Sequence, residues 1–317
     1  MKEKRARHKA MAQRPFDVSY VITVYNKADI LPLVLQSIKR QPTHLHYEII
    51  VVDDVSTDDS IAVLKREAKA FAHMRIIENT QNKGPSVRLN QGASLAKGTF
   101  LHLMDGDDLL PRGATLAMHT LLCQHKADFL YGQVKNFQTP KEAQKQEPIA
   151  SDFRFKVFES PLKGVLQCAV RGVPILTKRS LFLKAGGADE RLFVQDQSLP
   201  LRLARNAKRF IHMKTPVVYA PRCGYHLSHD LKRQHHDGFL AFYYTFCTSK
   251  QETKKLFEKM VSVLWKAHRM TLGGTLAFGW FYGLVKLLKP TPFALAFLRH
   301  RAKMLWPKIQ LPDCKHD

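Results

Sequence analysis

The sequence predicts an α/β protein with a mostly parallel central sheet flanked by helices. Two observations lead there. Four β-rich runs, Val18–Val24, Glu48–Val52, Arg75–Glu78 and Thr99–Met104, alternate with stretches of helical periodicity over the first hundred residues. The connections between them are short, and a β-helix-β order with short connections implies parallel strands with right-handed crossovers. A third observation points to a site: the fourth run ends in Asp105, Asp107 and Asp108, three carboxylates within four positions. Open α/β sheets bind ligands at the C-terminal ends of their strands, and such a cluster is unfavourable without a neutralising cation. An acidic turn closed by Pro111 is the plainer alternative.

Val18–Val24 is continuously apolar apart from Ser19 and Thr23, as a strand covered on both faces must be. Ile30, Leu31, Val34, Leu35 and Ile38 then recur at helical spacing to about Arg40, and Pro32 sits in the first turn, where a missing N–H does no harm. After the second strand, Ser56–Asp59 is expected to cap a helix carrying Ile61, Leu64, Ala68 and Phe71. Asn82-Lys-Gly84 turns into a helix from about Pro85 to Ala96. Beyond the aspartates, a helix is expected over 113–124, strands at 128–134, 173–176 and 217–219, a short helix over 179–185 and an amphipathic helix after Asp196. Residues 136–151 are polar and read as a loop.

The C-terminal third differs. Ser249-Lys-Gln-Glu252 matches a capping box for a helix running to about Met270. Met270–Val285 carries no charge, yet at sixteen residues it is shorter than the ~20 that span hydrocarbon. Basic and aromatic residues follow, among them Phe297, Arg299, Arg301, Lys303 and Trp306, which suits a helix lying on an anionic membrane surface or one packed on a core. The formal charge of +23 is concentrated at the ends: six Lys/Arg and one Glu in residues 1–14, fifteen Lys/Arg against five Asp/Glu in 231–317. Three parts follow: a basic disordered arm, 1–15; an α/β domain, 16–230; and a basic helical extension, 231–317. No recognised nucleic-acid motif appears, so no specific nucleic-acid partner is expected. Five scattered cysteines without a Cys-x-x-Cys suggest neither a disulfide framework nor a zinc site, and a reducing cytoplasm. The basic N-terminus lacks the apolar core of a secretion signal.

Several blocks resemble family 2 glycosyltransferases of the GT-A fold, over about residues 16–225. Val21-Ile-Thr-Val-Tyr-Asn26 is similar to their opening strand. Val51-Val-Asp-Asp-Val-Ser-Thr-Asp58 resembles their Asp-Asp-Gly-Ser-Thr-Asp block, with Val55 where glycine is usual. Asn82-Lys-Gly84, Arg88, Asn90-Gln-Gly92 and Ala96-Lys-Gly98 keep the family's spacing up to its Asp-x-Asp motif, here Asp105 and Asp107. Gly186-Gly-Ala-Asp-Glu190, Gln195-Asp196 and Arg202 resemble the later acceptor-side block, with Gln195 where the family often has Glu.

The resemblance implies an inverting, metal-dependent transfer of a sugar from a nucleotide sugar, UDP-linked, to a glycan or lipid-linked acceptor, as in cell-surface polysaccharide or lipopolysaccharide synthesis. In this reading Tyr25 packs on the nucleobase, Thr23 and Asp54 bond its edge, Arg88 meets phosphate and Asp105 lies near the ribose. Asp53 is placed as well as Asp54 by sequence alone; the choice between them comes from the resemblance. Asp107 is the expected ligand of Mn²⁺ or Mg²⁺, which hard carboxylate oxygens suit. Asp108 is spare, or caps a helix. Asp196 is the expected general base. His226 and His229 fall where the family often has a histidine near the metal or diphosphate. The expected location is the cytoplasmic face of a membrane, held peripherally by the C-terminal region. A non-catalytic nucleotide- or polyanion-binding protein on the same sheet is the alternative.

Overall fold

The computed structural model describes residues 15–42, 44–139, 142, 148–149, 152–168, 173–221, 230–272, 279, 282–285, 290–312 and 314. In chain order its elements are β1 (Val18–Val24), α1 (Leu31–Lys39), β2 (Tyr47–Asp53), α2 (Ser60–Glu67), β3 (Met74–Ile77), α3 (Pro85–Leu95), β4 (Phe100–Asp105), α4 (Ala114–Gln124) and β5 (Phe129–Phe137). Then follow β6 (Phe155–Phe158), α5 (Pro161–Cys168), β7 (Ile175–Lys178), α6 (Arg179–Lys184), α7 (Gln195–Asn206), β8 (Phe210–Pro221), α8 (Leu231–Thr248), α9 (Thr253–Leu272) and α10 (Pro292–Leu305).

The eight strands form one sheet in the order β3-β2-β1-β4-β7-β5-β8-β6. β3, β2, β1 and β4 are mutually parallel, as the alternating pattern predicts. β7 inserts antiparallel between β4 and β5, β8 runs parallel to β5, and β6 closes the far edge antiparallel to β8. From β1 the chain crosses to β2 and β3 on one side and returns to β4 on the other, so the strand order reverses between β1 and β4. That reversal makes the crevice where such sheets take ligands. Register aligns the strand ends there: Thr23 lies opposite Asp105, and Val24 opposite Asp53.

Alternation along the strands divides the core in two, because successive side chains point to opposite faces. Tyr20, Ile22, Ile49 and Val51 pack with Leu35 and Ile38 of α1 and Met118 of α4. Val21, Ile50, Val52, Leu101 and Leu103 pack with Leu89 of α3 and Leu199 and Leu203 of α7. This second cluster continues without a break into Phe239 and Tyr243 of α8, Leu256, Met260 and Leu264 of α9, and Leu298 and Ala302 of α10. The apolar stripes of the C-terminal helices are therefore covered by the α/β core. No helix among the described residues is long and apolar enough to cross a membrane.

The structure departs from several sequence expectations. β6 and α5 lie outside the sequence expectations, and α8 falls inside the helical extension expected over 231–317, where the sequence gives it no bounds of its own. Ser56 does not cap α2; Asp59 precedes the helix, and Asp58 Oδ1 accepts the Ser60 N–H at 3.0 Å. Ser249 does not open α9 through a capping box; it ends α8, with its Oγ bonded to Gln251 N–H at 3.1 Å. Nor are all five cysteines separate: Cys247 and Cys314 form a disulfide, tying the end of α8 to the C-terminal segment. Two cysteines 67 residues apart carry no local spacing signal, so only the fold brings them together.

Candidate active site

The site is built where β1, β2 and β4 end. Asp105 closes β4, and Gly106 turns the chain so that Asp107 and Asp108 follow at once. Asp108 is not a helix cap. Its Oδ2 accepts the Asp105 N–H at 3.1 Å, which folds the turn back on itself. Asp107 is nearly buried and meets Lys27 Nζ at 2.5 Å. Lys27 comes from the loop after β1, and sequence reading passed over it. Thr23 Oγ1 donates to Asp105 Oδ1 at 3.4 Å. Tyr25, at the mouth of this crevice, is 48% exposed.

The acceptor-side block reaches the same place. Gly186 and Gly187 both take positive φ, and Arg202 donates to both of their carbonyls, at 2.9 and 2.7 Å. Asp189 is clamped by Arg191 at 2.6 Å. The Asn90 side chain pairs with the backbone of Ala188 in both directions at 2.9 Å, and Ser86 Oγ donates to the Leu192 carbonyl at 2.6 Å. Thus α3, lying against the first half of the sheet, holds the loop from the second half. The loop feeds α7, whose first two residues are Gln195 and Asp196. Gln195 Nε2 donates to Asp105 Oδ1 at 3.0 Å.

Electrostatics record the result. Burial first, then the charges of Asp107 and Asp196, push the Asp105 carboxyl up to about 7, against the opposing pull of Lys27 and the Thr23 hydroxyl. Burial and the two neighbouring aspartates likewise hold Asp108 well above the ordinary carboxylate range. Asp196 and Asp107 therefore act on one carboxylate from opposite halves of the fold. Gln195 now has a physical reason: an amide donates to Asp105, whereas a glutamate would add another negative charge.

Asp54 and Arg88 are brought together rather than placed apart. Arg88 Nε meets Asp54 Oδ1 at 2.6 Å, both groups buried, and Asp54 also accepts the Lys83 and Gly84 N–H groups at 2.9 and 2.7 Å. Arg88 reaches the Gln81 carbonyl as well. The pair fixes the 81–84 loop beside the strand ends. Asp53 is occupied locally, accepting the Ser56 N–H at 2.9 Å. Val55 between these blocks has φ 67°, which explains why glycine is the easier residue there. His226 and His229 lie outside the described residues.

The donor set fits a hard divalent cation in part. Asp105 and Asp107 offer carboxylate oxygens, burial and then repulsion from Asp107 raise the Asp105 carboxyl, and Lys27 already sets a positive charge against Asp107. No group of three or more His, Cys, Asp or Glu side chains suited to a metal occurs among the described residues. Mg²⁺-type sites commonly take one or two carboxylates and complete their shell with phosphate and water.

A mostly parallel sheet with carboxylates gathered at its strand-order reversal, met by an acid-bearing loop from the other half, has the arrangement of a GT-A fold. Residues 19–172 match the model for glycosyl transferase family 2. The chain is 34% identical over 120 residues to a poly(ribitol-phosphate) beta-glucosyltransferase of Bacillus spizizenii, covering 37% of this chain and 19% of that protein. It is also 34% identical over 118 residues to a PGL/p-HBAD biosynthesis glycosyltransferase of Mycobacterium bovis, covering 37% of this chain and 46% of the relative. The chain thus matches less than half the length of these relatives. Its fold is similar to that of S. aureus TarS 1-349, solved with UDP, at TM-score 0.65 and 17% identity over 92% of this chain and 89% of that one. It is also similar to the mannosyltransferase PcManGT of Pyrobaculum calidifontis, solved with GDP-Man and Mn²⁺, at TM-score 0.56 and 19% identity over 97% and 95%.

Proposed function

We propose that the chain is an inverting glycosyltransferase that moves a sugar from a UDP-linked donor to a hydroxyl on a glycan or lipid-linked acceptor, in the synthesis of a cell-surface polymer or glycolipid. The observation that carries the reading is the Gln195–Asp105 hydrogen bond, which delivers Asp196 to the aspartate cluster. The relatives' named activities support the acceptor class, and TarS, solved with UDP-GlcNAc, supports the donor class.

In this mechanism the donor lies across the ends of β1 and β4, with its base near Tyr25 and Thr23 and its ribose near Asp105. The Asp54–Arg88 pair shapes the loop beside it. Asp107 would hold a Mn²⁺ or Mg²⁺ ion, which would neutralise charge developing on the diphosphate. Asp196 takes the proton of the acceptor hydroxyl as its oxygen attacks the anomeric carbon. The bond from that carbon to the diphosphate oxygen breaks on the opposite face, so the configuration inverts and the nucleoside diphosphate leaves. A general base contributes about 10²–10⁴-fold to such a step. The protein works at a membrane surface, its basic C-terminal region attracted to anionic lipid.

Asp107→Asn and Asp196→Asn are expected to lower transfer at least ~100-fold, the loss typical of removing a catalytic group, with the unfolding transition retained. Turnover at the parent rate in both variants would sink the assignment. Binding of nucleic acid or another polyanion, with no nucleotide sugar consumed under any metal, would favour the non-catalytic alternative instead.

A further inference from the structure

Val194 precedes α7 and caps it, so its backbone N–H has no acceptor within the helix. The acceptor comes from α8: Asp237 Oδ2 takes that N–H at 2.9 Å. Asp237 is 3% exposed, and its other oxygen meets His236 Nδ1 at 2.8 Å, so the buried carboxylate is bonded on both sides. One turn earlier on the same helix, the Arg233 guanidinium lies 4.4 Å from the centre of the Phe193 ring. α8 thus holds two consecutive residues, Phe193 and Val194, directly before Gln195 and Asp196. Across the loop, the Ser86 hydroxyl donates to the carbonyls of Leu192 and Phe193, while α8 supplies the acceptor for the Val194 N–H.

We infer that Asp237 is a positioning residue for sugar transfer: by fixing the first turn of α7 it sets where Gln195 meets Asp105 and where Asp196 faces the acceptor. The inference rests on the reading of Asp196 as general base. It also gives the helical region after residue 230 a part in the chemistry, separate from any contact with a membrane. A shift of about 1 Å in a catalytic group costs about 10²-fold, and one hydrogen bond at the start of a helix is placed to cause it.

The test compares Asp237→Ala and Asp237→Asn in the full chain by transfer kinetics, UDP affinity and thermal unfolding. Asparagine keeps an oxygen able to accept the Val194 N–H; alanine does not. Asp237→Ala is expected to lose about 100-fold in kcat with the dissociation constant for UDP within about twofold of the parent, and Asp237→Asn to recover most of that loss. Val194→Pro removes the donor instead. Its φ of −87° is near proline's range, and it should reproduce the kcat loss without adding to that of Asp237→Ala in the double variant. This second route serves if Asp237→Ala does not fold. Parent kcat in Asp237→Ala or Val194→Pro, or an asparagine variant as impaired as the alanine one, overturns the inference. If Asp196→Asn is inactive while these variants are not, only this inference fails; if Asp196→Asn is active, the reading of the base fails with it.

Discussion

Gln195 shows how one side chain can depart from a family pattern for a reason that lies 90 residues away. Its amide donates to Asp105, a carboxyl already raised by burial and by Asp107 and Asp196. Gln195→Glu would set one more carboxylate against the cluster. The expected outcome is a lower unfolding temperature without divalent cation and a larger rise on adding Mn²⁺ than the parent shows, measured by thermal unfolding across a metal titration. Val55 is the second departure. A β-branched residue at φ 67° is strained, by roughly 1–2 kcal/mol for a left-handed conformation. Val55→Gly removes that strain but adds freedom to the unfolded chain, so a net gain of up to about 1 kcal/mol is expected by denaturant unfolding.

At the scale of elements, the site depends on α3 clasping the loop before α7. Gly84 starts α3 at φ 84°, and a Cβ there would stand 2.7 Å from the Phe193 ring, the same ring that Arg233 covers from α8. Gly84→Ala therefore strains the backbone and displaces Phe193 together. A loss of about 1–3 kcal/mol in unfolding free energy is expected, read by denaturant unfolding, with transfer falling alongside it. The order of elements from β1 to β4 followed from periodicity, because each strand there is a mostly apolar run set between helical patterns and turn residues. β6 and the bounds of α8 were hidden for different reasons. β6 is four residues long at a sheet edge and partly exposed. α8 opens with Leu-Lys-Arg-Gln-His-His-Asp, a polar first two turns whose buried Asp237 has its partner on another element.

Across the whole molecule, the buried groups set how stability responds to acid. His102 lies on β4 between the layers, stacked on Tyr20, with Nδ1 on the Thr115 hydroxyl at 3.1 Å. Burial drives its imidazole down to about 3, against an ordinary value of 6.5. The folded state keeps it neutral while the unfolded state takes up a proton below pH 6.5, so its contribution to stability is lost as pH falls from about 6.5 towards 3. Asp105 and Asp108 are raised and pull the other way, so the clean measurement is a difference. The stability of the parent relative to His102→Gln should fall by about 1.4 kcal/mol per pH unit across that window, read from denaturant unfolding at several pH values.

The sequence by itself determined the parallel half of the sheet, the carboxylates at its strand ends and the blocks that resemble a glycosyltransferase. These are local properties: apolar runs, turn residues, and acids at the end of a strand. The tertiary structure decided which of the marked residues meet. It joined Asp54 to Arg88 and Lys27 to Asp107, set Gln195 against Asp105, paired Cys247 with Cys314, and laid the C-terminal helices on the same core as α7. Such pairings connect residues tens of positions apart through packing and register, and a one-dimensional pattern holds no record of distance in space.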